Sequence, residues 1–279
     1  VKKILLCFFM IGLCLGVSYA YAEPTAESLR QTIRDYIVSQ ENLKGAFEIM
    51  DERTGNLRQL EFVRVHERVG KTGNYYYSCT DMKDVKTGDV LDLDFDIQDE
   101  GGNLKVADIR IHKDNGDPRY TYDDKDNRAP VVVSHVKPTQ EGSSISGTVT
   151  FTQVEEGLTI NAEISGAPAG KHGFHIHEKG DCSDAGNAAG SHFNPDSVPH
   201  GDLVQDGFVH AHAGDFGNIE IDASGNGKLE KFIPNLTLEE GKYGIAGRSV
   251  ILHEKEDNFG QPTGNAGGRI ACGVIPDKA

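Results

Sequence analysis

Eight of the eleven histidines fall between His172 and His253. A neutral imidazole is the commonest protein ligand for copper and zinc, so this crowding points to metal chemistry. His175-Ile176-His177 is the sharpest element. On a strand, positions i and i+2 share a face, so two rings project together while Ile176 turns toward a core. His192 and His200 sit in a Gly- and Pro-rich stretch without strand periodicity. His212 and Asp215 follow as His-Ala-Gly-Asp, just before the next strand. Three histidines and one carboxylate can complete a closed four-coordinate zinc set. His210 competes with His212 for that place, because both share a face if the stretch is extended. His253 ends the apolar run Val250-Ile251-Leu252 and is placed to bring a last ligand to the wall of a sheet.

These side chains need a scaffold of short strands. Strands are suggested at Val131–Val136, Ser144–Gln153, Leu158–Ile164 and Gly173–His177, then at Gly217–Asp222, Lys228–Ile233, Ser249–His253 and Arg269–Ile275. Short strands with Gly-rich turns, uninterrupted by a long helical pattern, predict an all-β sandwich or barrel over 129–279. Upstream the pattern differs. Leu29, Ile33, Tyr36 and Ile37 recur at helical spacing, which predicts an amphipathic helix from Thr25 to about Gln40. After Gly45 the period becomes two. Ala46–Met50 and Leu60–Val65 flank a hairpin connection at Arg53-Thr54-Gly55-Asn56, and Asn74–Cys79 follows. Leu91, Leu93, Phe95 and Ile97 alternate with Asp92, Asp94 and Asp96, and Val106, Ile109 and Ile111 suggest one more strand. A helix followed by antiparallel strands predicts a small α+β domain over 23–112. The alternating aspartates are expected on a solvated sheet face rather than at a metal. Residues 113–128, polar and rich in Asp and Asn, read as an exposed linker.

Five segments resemble the signature blocks of copper–zinc superoxide dismutases, bacterial exported members in particular. They are GFHIHEKGDC (173–182), GSHFNP (190–195), HAGDFGNI (212–219), GRSVILHEKEDNFG (247–260) and TGNAGGRIACGVI (263–275). They come in family order at compatible spacing. The resemblance covers about 129–276 and none of 23–128. It implies an eight-stranded Greek-key β-barrel that converts two superoxide anions to O₂ and hydrogen peroxide. It implies copper held by His175, His177, His192 and His253, and zinc held by His192, His200, His212 and Asp215, with His192 bridging the two. The motif prefers His212, three residues before the aspartate, to His210. Asp257 would accept hydrogen bonds from the outer nitrogens of His175 and His200, Arg269 would guide and hold the anion, and Cys182 and Cys272 would form a disulfide. His172 is expected to be structural, and His66, His112 and His135 to be isolated surface or core residues. Phe259-Gly260-Gln261-Pro262 stands where many relatives carry a longer charged steering loop, which implies a slower enzyme sensitive to ionic strength. The rival reading is an exported copper or zinc carrier or chaperone on the same barrel. The presence of all four copper positions and Arg269 weighs against it, and against a barrel of purely structural use.

Lys2 and Lys3, the apolar run Ile4–Val17 and the small-x-small site Ala20-Tyr21-Ala22 read as a secretory signal peptide over 1–22. Its loss would remove two positive charges from a formal charge of −15, leaving −17. So acidic a chain, without a local basic patch, is not expected to bind nucleic acid or to stay inserted in a membrane. Export to a periplasm or the cell exterior implies an oxidising compartment, where a disulfide persists. Of Cys79, Cys182 and Cys272, Cys79 is expected as an unpaired, buried thiol, with pairing between chains as the alternative. Residues 23–128 show no evident nucleophile, second metal cluster or phosphate loop. Oligomeric state stays open, a homodimer being one expectation.

Overall fold

The computed structural model describes residues 22–122 and 127–277, so the signal peptide falls almost wholly outside the described residues. The chain begins with α1 (Ala26–Lys44). Thr25 caps it by accepting the Ser28 amide at 3.1 Å, and Gly45, at φ 83°, closes it by donating to Glu41 O. The helix runs four residues past Gln40 because the stop signal is that glycine rather than the end of the apolar stripe. Leu29, Ile33 and Ile37 are fully buried, each contributing about 1.5–3 kcal/mol of burial.

They pack on a curled antiparallel sheet of β1 (Phe47–Asp51), β2 (Asn56–Val65), β3 (Gly70–Thr72), β4 (Tyr75–Asp84), β5 (Val90–Asp99), β6 (Leu104–Asp114) and β7 (Asp117–Pro118). The order is β1-β2-β4-β5-β6-β7, with β3 beside β4. Leu91, Leu93, Phe95 and Ile97 of β5 meet the helix, as their alternation predicts.

The aspartates of β5 correct an expectation. Asp92, Asp94 and Asp96 are buried, not solvated. A strand from further along the chain, β8 (Tyr120–Tyr122), and the first residue of the strand after it supply partners. Tyr120 and Tyr122 donate to Asp94 Oδ2 at 2.7 and 3.1 Å, and Arg128 donates to Asp96 Oδ2 at 3.0 Å.

The remaining strands are β9 (Arg128–Pro138), β10 (Ser146–Val154), β11 (Gly157–Ser165), β12 (Gly170–His177), β13 (Asp215–Ile221), β14 (Gly227–Pro234), β15 (Ser249–His253) and β16 (Arg269–Val274). They pair antiparallel in the order β10-β11-β14-β13-β12-β15-β16-β9, and β9 returns to β10 to close the barrel. All eight strands read from the sequence are present. The core is a second apolar cluster that includes Phe151, Phe174, Phe216, Ile160 and Leu252.

The stretch expected as a linker is largely strand. Lys113 and Asp114 finish β6, β7 pairs back on them, and β8 pairs with β9 through Tyr120↔Pro130, Thr121↔Ala129 and Tyr122↔Arg128. Its polarity has another cause. Arg119 is 8% exposed and forms a two-pronged ion pair with the fully buried Asp51, at 2.6 and 3.1 Å, while its carbonyl accepts from Val131 N of β9 at 2.9 Å. Arg119 thus ties the helix-and-sheet unit to the barrel, alongside Arg128 on Asp96 and Arg53, which donates to Val131 O at 3.2 Å.

Candidate metal centre

β12 carries His175 and His177 side by side with β15, in the register His175↔Ile251 and His177↔Ser249. The loop after β12 folds back so that His192 bridges His177, with Phe193 N donating to Ile176 O at 2.9 Å. β15 ends at His253, beside a register shift that frees its ring from the ladder. His175, His177, His192 and His253 therefore present ring nitrogens within 4.8 Å of one another. Each ring is 6% exposed or less. His177 Nδ1 donates to Gly190 O at 3.0 Å and His253 Nδ1 faces Gly267 O at 3.3 Å, which turns both Nε2 atoms inward to 3.3 Å from each other.

A second group shares His192. His192, His200, His212 and Asp215 converge in the same way. Asp215, at the start of β13, lies 2.8 Å from His192 Nδ1, 2.8 Å from His200 Nδ1 and 3.1 Å from His212 Nδ1. His210 is exposed and takes no part, while His212 is buried. Asp257 stands behind both groups. It accepts from His175 Nε2 at 2.8 Å and from His200 Nε2 at 3.0 Å, which leaves the opposite nitrogen of each ring directed at the cluster.

Those two nitrogens test whether metals fit. His175 Nδ1 and His200 Nδ1 are buried and have no hydrogen-bond partner; the His200 contact to Asp215 is short but wrongly directed for one. A buried ring nitrogen left without a partner is costly unless something else takes its lone pair. Four imidazoles suit copper, and three imidazoles with a carboxylate suit zinc. Burial, with help from neighbouring rings, lowers His177 to about 2, His253 to about 3 and His192 to about 4. All three are therefore neutral at physiological pH, the form that binds metal. His200 differs. Burial alone would lower it, but Asp215 and Asp257 raise it to about 9, and a metal must displace that proton. The same partners hold Asp215 and Asp257 ionised against burial, well below the usual carboxylate range.

Beside the four-histidine group, Arg269 opens β16. Its Nη1 and Nη2 donate to Gly186 O and Gly190 O at 2.5 and 2.6 Å. Gly190 O is also the acceptor for His177, so the cation is fixed relative to that ring. Cys182 and Cys272 are disulfide-bonded and pack on Ala189 and Ile251, tying the loop after β12 to β16. His172 points away from the cluster, between His253 O and Pro168 O. Two further residues were not foreseen. Asn218 clamps the Asp257 backbone, accepting at 2.7 Å and donating at 2.9 Å. Gln261 clamps the His200 backbone at 3.1 and 2.8 Å. The segment read as a shortened steering loop thus also holds a cluster histidine in place.

The model of copper/zinc superoxide dismutase matches residues 145–275. The chain is 45% identical over 140 residues to an extracellular Cu-Zn superoxide dismutase of Caenorhabditis elegans, covering 48% of this chain and 62% of that one. It is 44% identical over 149 residues to the extracellular Cu-Zn enzyme of Drosophila melanogaster, covering 50% of this chain and 79% of the relative. This chain belongs to the copper/zinc superoxide dismutase family. A Cu-Zn superoxide dismutase of Onchocerca volvulus is 38% identical over 146 residues, 48% of this chain and 90% of that one. The matches lie in the barrel half, where the five motif blocks are. Copper and zinc are the metals of the family, and both donor groups have the composition those metals require.

Proposed function

We propose that the barrel catalyses dismutation of superoxide, two O₂⁻ and two protons giving O₂ and H₂O₂. His175, His177, His192 and His253 would hold copper, and His192, His200, His212 and Asp215 would hold zinc. The observation that carries this reading is the sharing of one ring by two complete donor groups, since His192 belongs to both. Bound copper supplies the one-electron exchange, while zinc, which has no accessible redox change, fixes the ligands. Arg269 receives the anion through charge-assisted hydrogen bonds, its position set by Gly186 O and Gly190 O. His192 is held by Asp215 on its Nδ1 side, so its Nε2 is the atom that holds and hands on one of the two product protons; water supplies the other. Asp257 keeps the outer protons of His175 and His200 in place.

Export belongs to the same reading. It is supported by the leader-like segment 1–22, the disulfide and the extracellular forms among the relatives. Among the described residues no helix is long and apolar enough to cross a membrane. The division at about 113–128 into a helix-and-sheet domain and a barrel domain follows the two separate apolar cores. A homodimer, which sedimentation would detect, completes the proposal.

The test is superoxide decay by protein loaded with copper and zinc, normalised to bound copper. Fast decay that His253→Ala abolishes is the expected result. Tight copper binding with decay no faster than background would instead identify a metal carrier.

A further inference from the structure

The helix-and-sheet unit contains a second cluster of metal-binding side chains, remote in sequence from the barrel histidines. Cys79 of β4 and Asp94 of β5 are register partners. β6 shifts register between Ile111 and Lys113, so that His112 is its extra residue, a β-bulge that re-aims a side chain. Asp92 lies two residues from Asp94, on the same face. As a result Cys79 Sγ stands 2.7 Å from Asp94 Oδ1 and 3.7 Å from His112 Nδ1. His112 Nδ1 stands 3.6 Å from Asp94 Oδ1 and 3.9 Å from Asp92 Oδ2. Asp92 is only 7% exposed, and its Oδ1 has no hydrogen-bond partner. One of its carboxylate oxygens lies within 4.8 Å of a donor atom of each of the other three residues.

We propose that Cys79, Asp92, Asp94 and His112 form a binding site for a thiophilic divalent ion of the zinc class. One sulfur, one imidazole and two carboxylates are a four-donor set for zinc, whereas calcium and magnesium take oxygen alone. Zinc bond lengths of about 2.0–2.3 Å put tetrahedral donors about 3.3–3.8 Å apart. Three of the four measured separations fall within about 0.1 Å of that range. The fourth, sulfur to Asp94, is shorter and must open on binding. The surroundings are those of a supported site. Asp94 Oδ2 is held by Tyr120 and Tyr122, leaving Oδ1 for the ion. The Tyr120 ring stacks on His112 at 4.8 Å and fixes its plane. Three anionic donors exceed the charge of a divalent ion by one, and Lys113, half-buried and 3.8 Å from Asp92, offsets the excess.

Cobalt(II) tests this in the protein from residue 23 onward, which lacks Cys7 and Cys14 of the leader and already carries copper and zinc in the barrel. The barrel donors are histidines and a carboxylate, and Cys182 and Cys272 are tied in a disulfide. A thiolate-to-cobalt charge-transfer band in the near ultraviolet therefore reports on Cys79. The expected result is a third metal equivalent with that band. Cys79→Ser should abolish the band without changing superoxide decay per copper, and Asp92→Asn should weaken cobalt binding at least tenfold while the thiol remains. Zinc should also slow alkylation of Cys79 in the unmodified protein, a readout that needs no variant. A protein that takes up no third equivalent, shows no such band and is alkylated equally fast with and without zinc would overturn the proposal. Cys79 would then be a thiol hydrogen-bonded to Asp94.

Discussion

Asp257 binds no metal in this scheme, yet two rings depend on it. It accepts from His175 and His200 at once and is itself clamped through its backbone by Asn218. Asp257→Ala should release both rings to turn and change tautomer. We expect zinc affinity to fall about 10–100-fold, the usual cost of losing such a partner, with the barrel circular dichroism unchanged. Chelator competition measures it; unchanged affinity would reduce Asp257 to a turn residue. The histidines were legible because metal binding demands particular residue types, and few other uses crowd them so closely. Asn218 and Gln261 were not, since a side chain that hydrogen-bonds a distant backbone leaves no local pattern. His112 misled the reading in the opposite direction. Alone in the sequence, it meets Cys79 only through strand pairing.

At the scale of elements, the segment between β15 and β16 is where a small change should act at a distance. Gly264 has φ 76° and donates to Gly260 O at 2.6 Å. A Cβ there would run into Asp257 Oδ1 and His200 Nε2. Gly264→Ala should therefore strain the backbone and push apart the pair that links the two donor groups. Zinc should be lost faster than copper on dialysis; equal retention of both would show that the loop absorbs the change. Strands of the barrel were readable because alternation and Gly-rich turns are local signals. Two features were not. β8 reads as linker because its tyrosines and neighbouring arginines pair with carboxylates from another sheet, not with an apolar core. The bulge at His112 is a property of register, which no single strand carries. His135 meets Asp117 at 2.6 Å, as an isolated residue would, whereas His66 lies 2.8 Å from Asp81 and groups with Asp92 as well.

Across the whole molecule, the buried pair Arg119–Asp51 is the test of how far the two units act together. Removing one member of a buried pair costs about 3–5 kcal/mol. Arg119→Ala should fall at the low end of that range, because Arg58 remains 3.3 Å from Asp51. Denaturant titration measures the loss, and a change below about 0.5 kcal/mol would mean that water takes over the arginine's place. The same carboxylates set an acid limit. Burial opposes ionisation of Asp51, but Arg119 holds it well below the usual range, and Thr87, Asn115 and Arg58 bring Asp89 down to about 2. Groups with lowered folded values stabilise above their unfolded value of about 3.9 and lose that contribution as pH falls through the folded one. The melting temperature of the helix-and-sheet unit should drop as pH falls from about 4 to about 2, and a flat profile would contradict the pairing. The disulfide confines most of the donor residues. Its cysteines are 90 residues apart, and His192, His200, His212, Asp215, His253, Asp257 and Arg269 all lie inside the ring it closes. Closing such a ring removes roughly 4–5 kcal/mol of chain entropy from the unfolded state in the loop-entropy model. In an oxidised chain the donors proposed for zinc would gather from an already confined loop, at a smaller cost in chain entropy than in a reduced one.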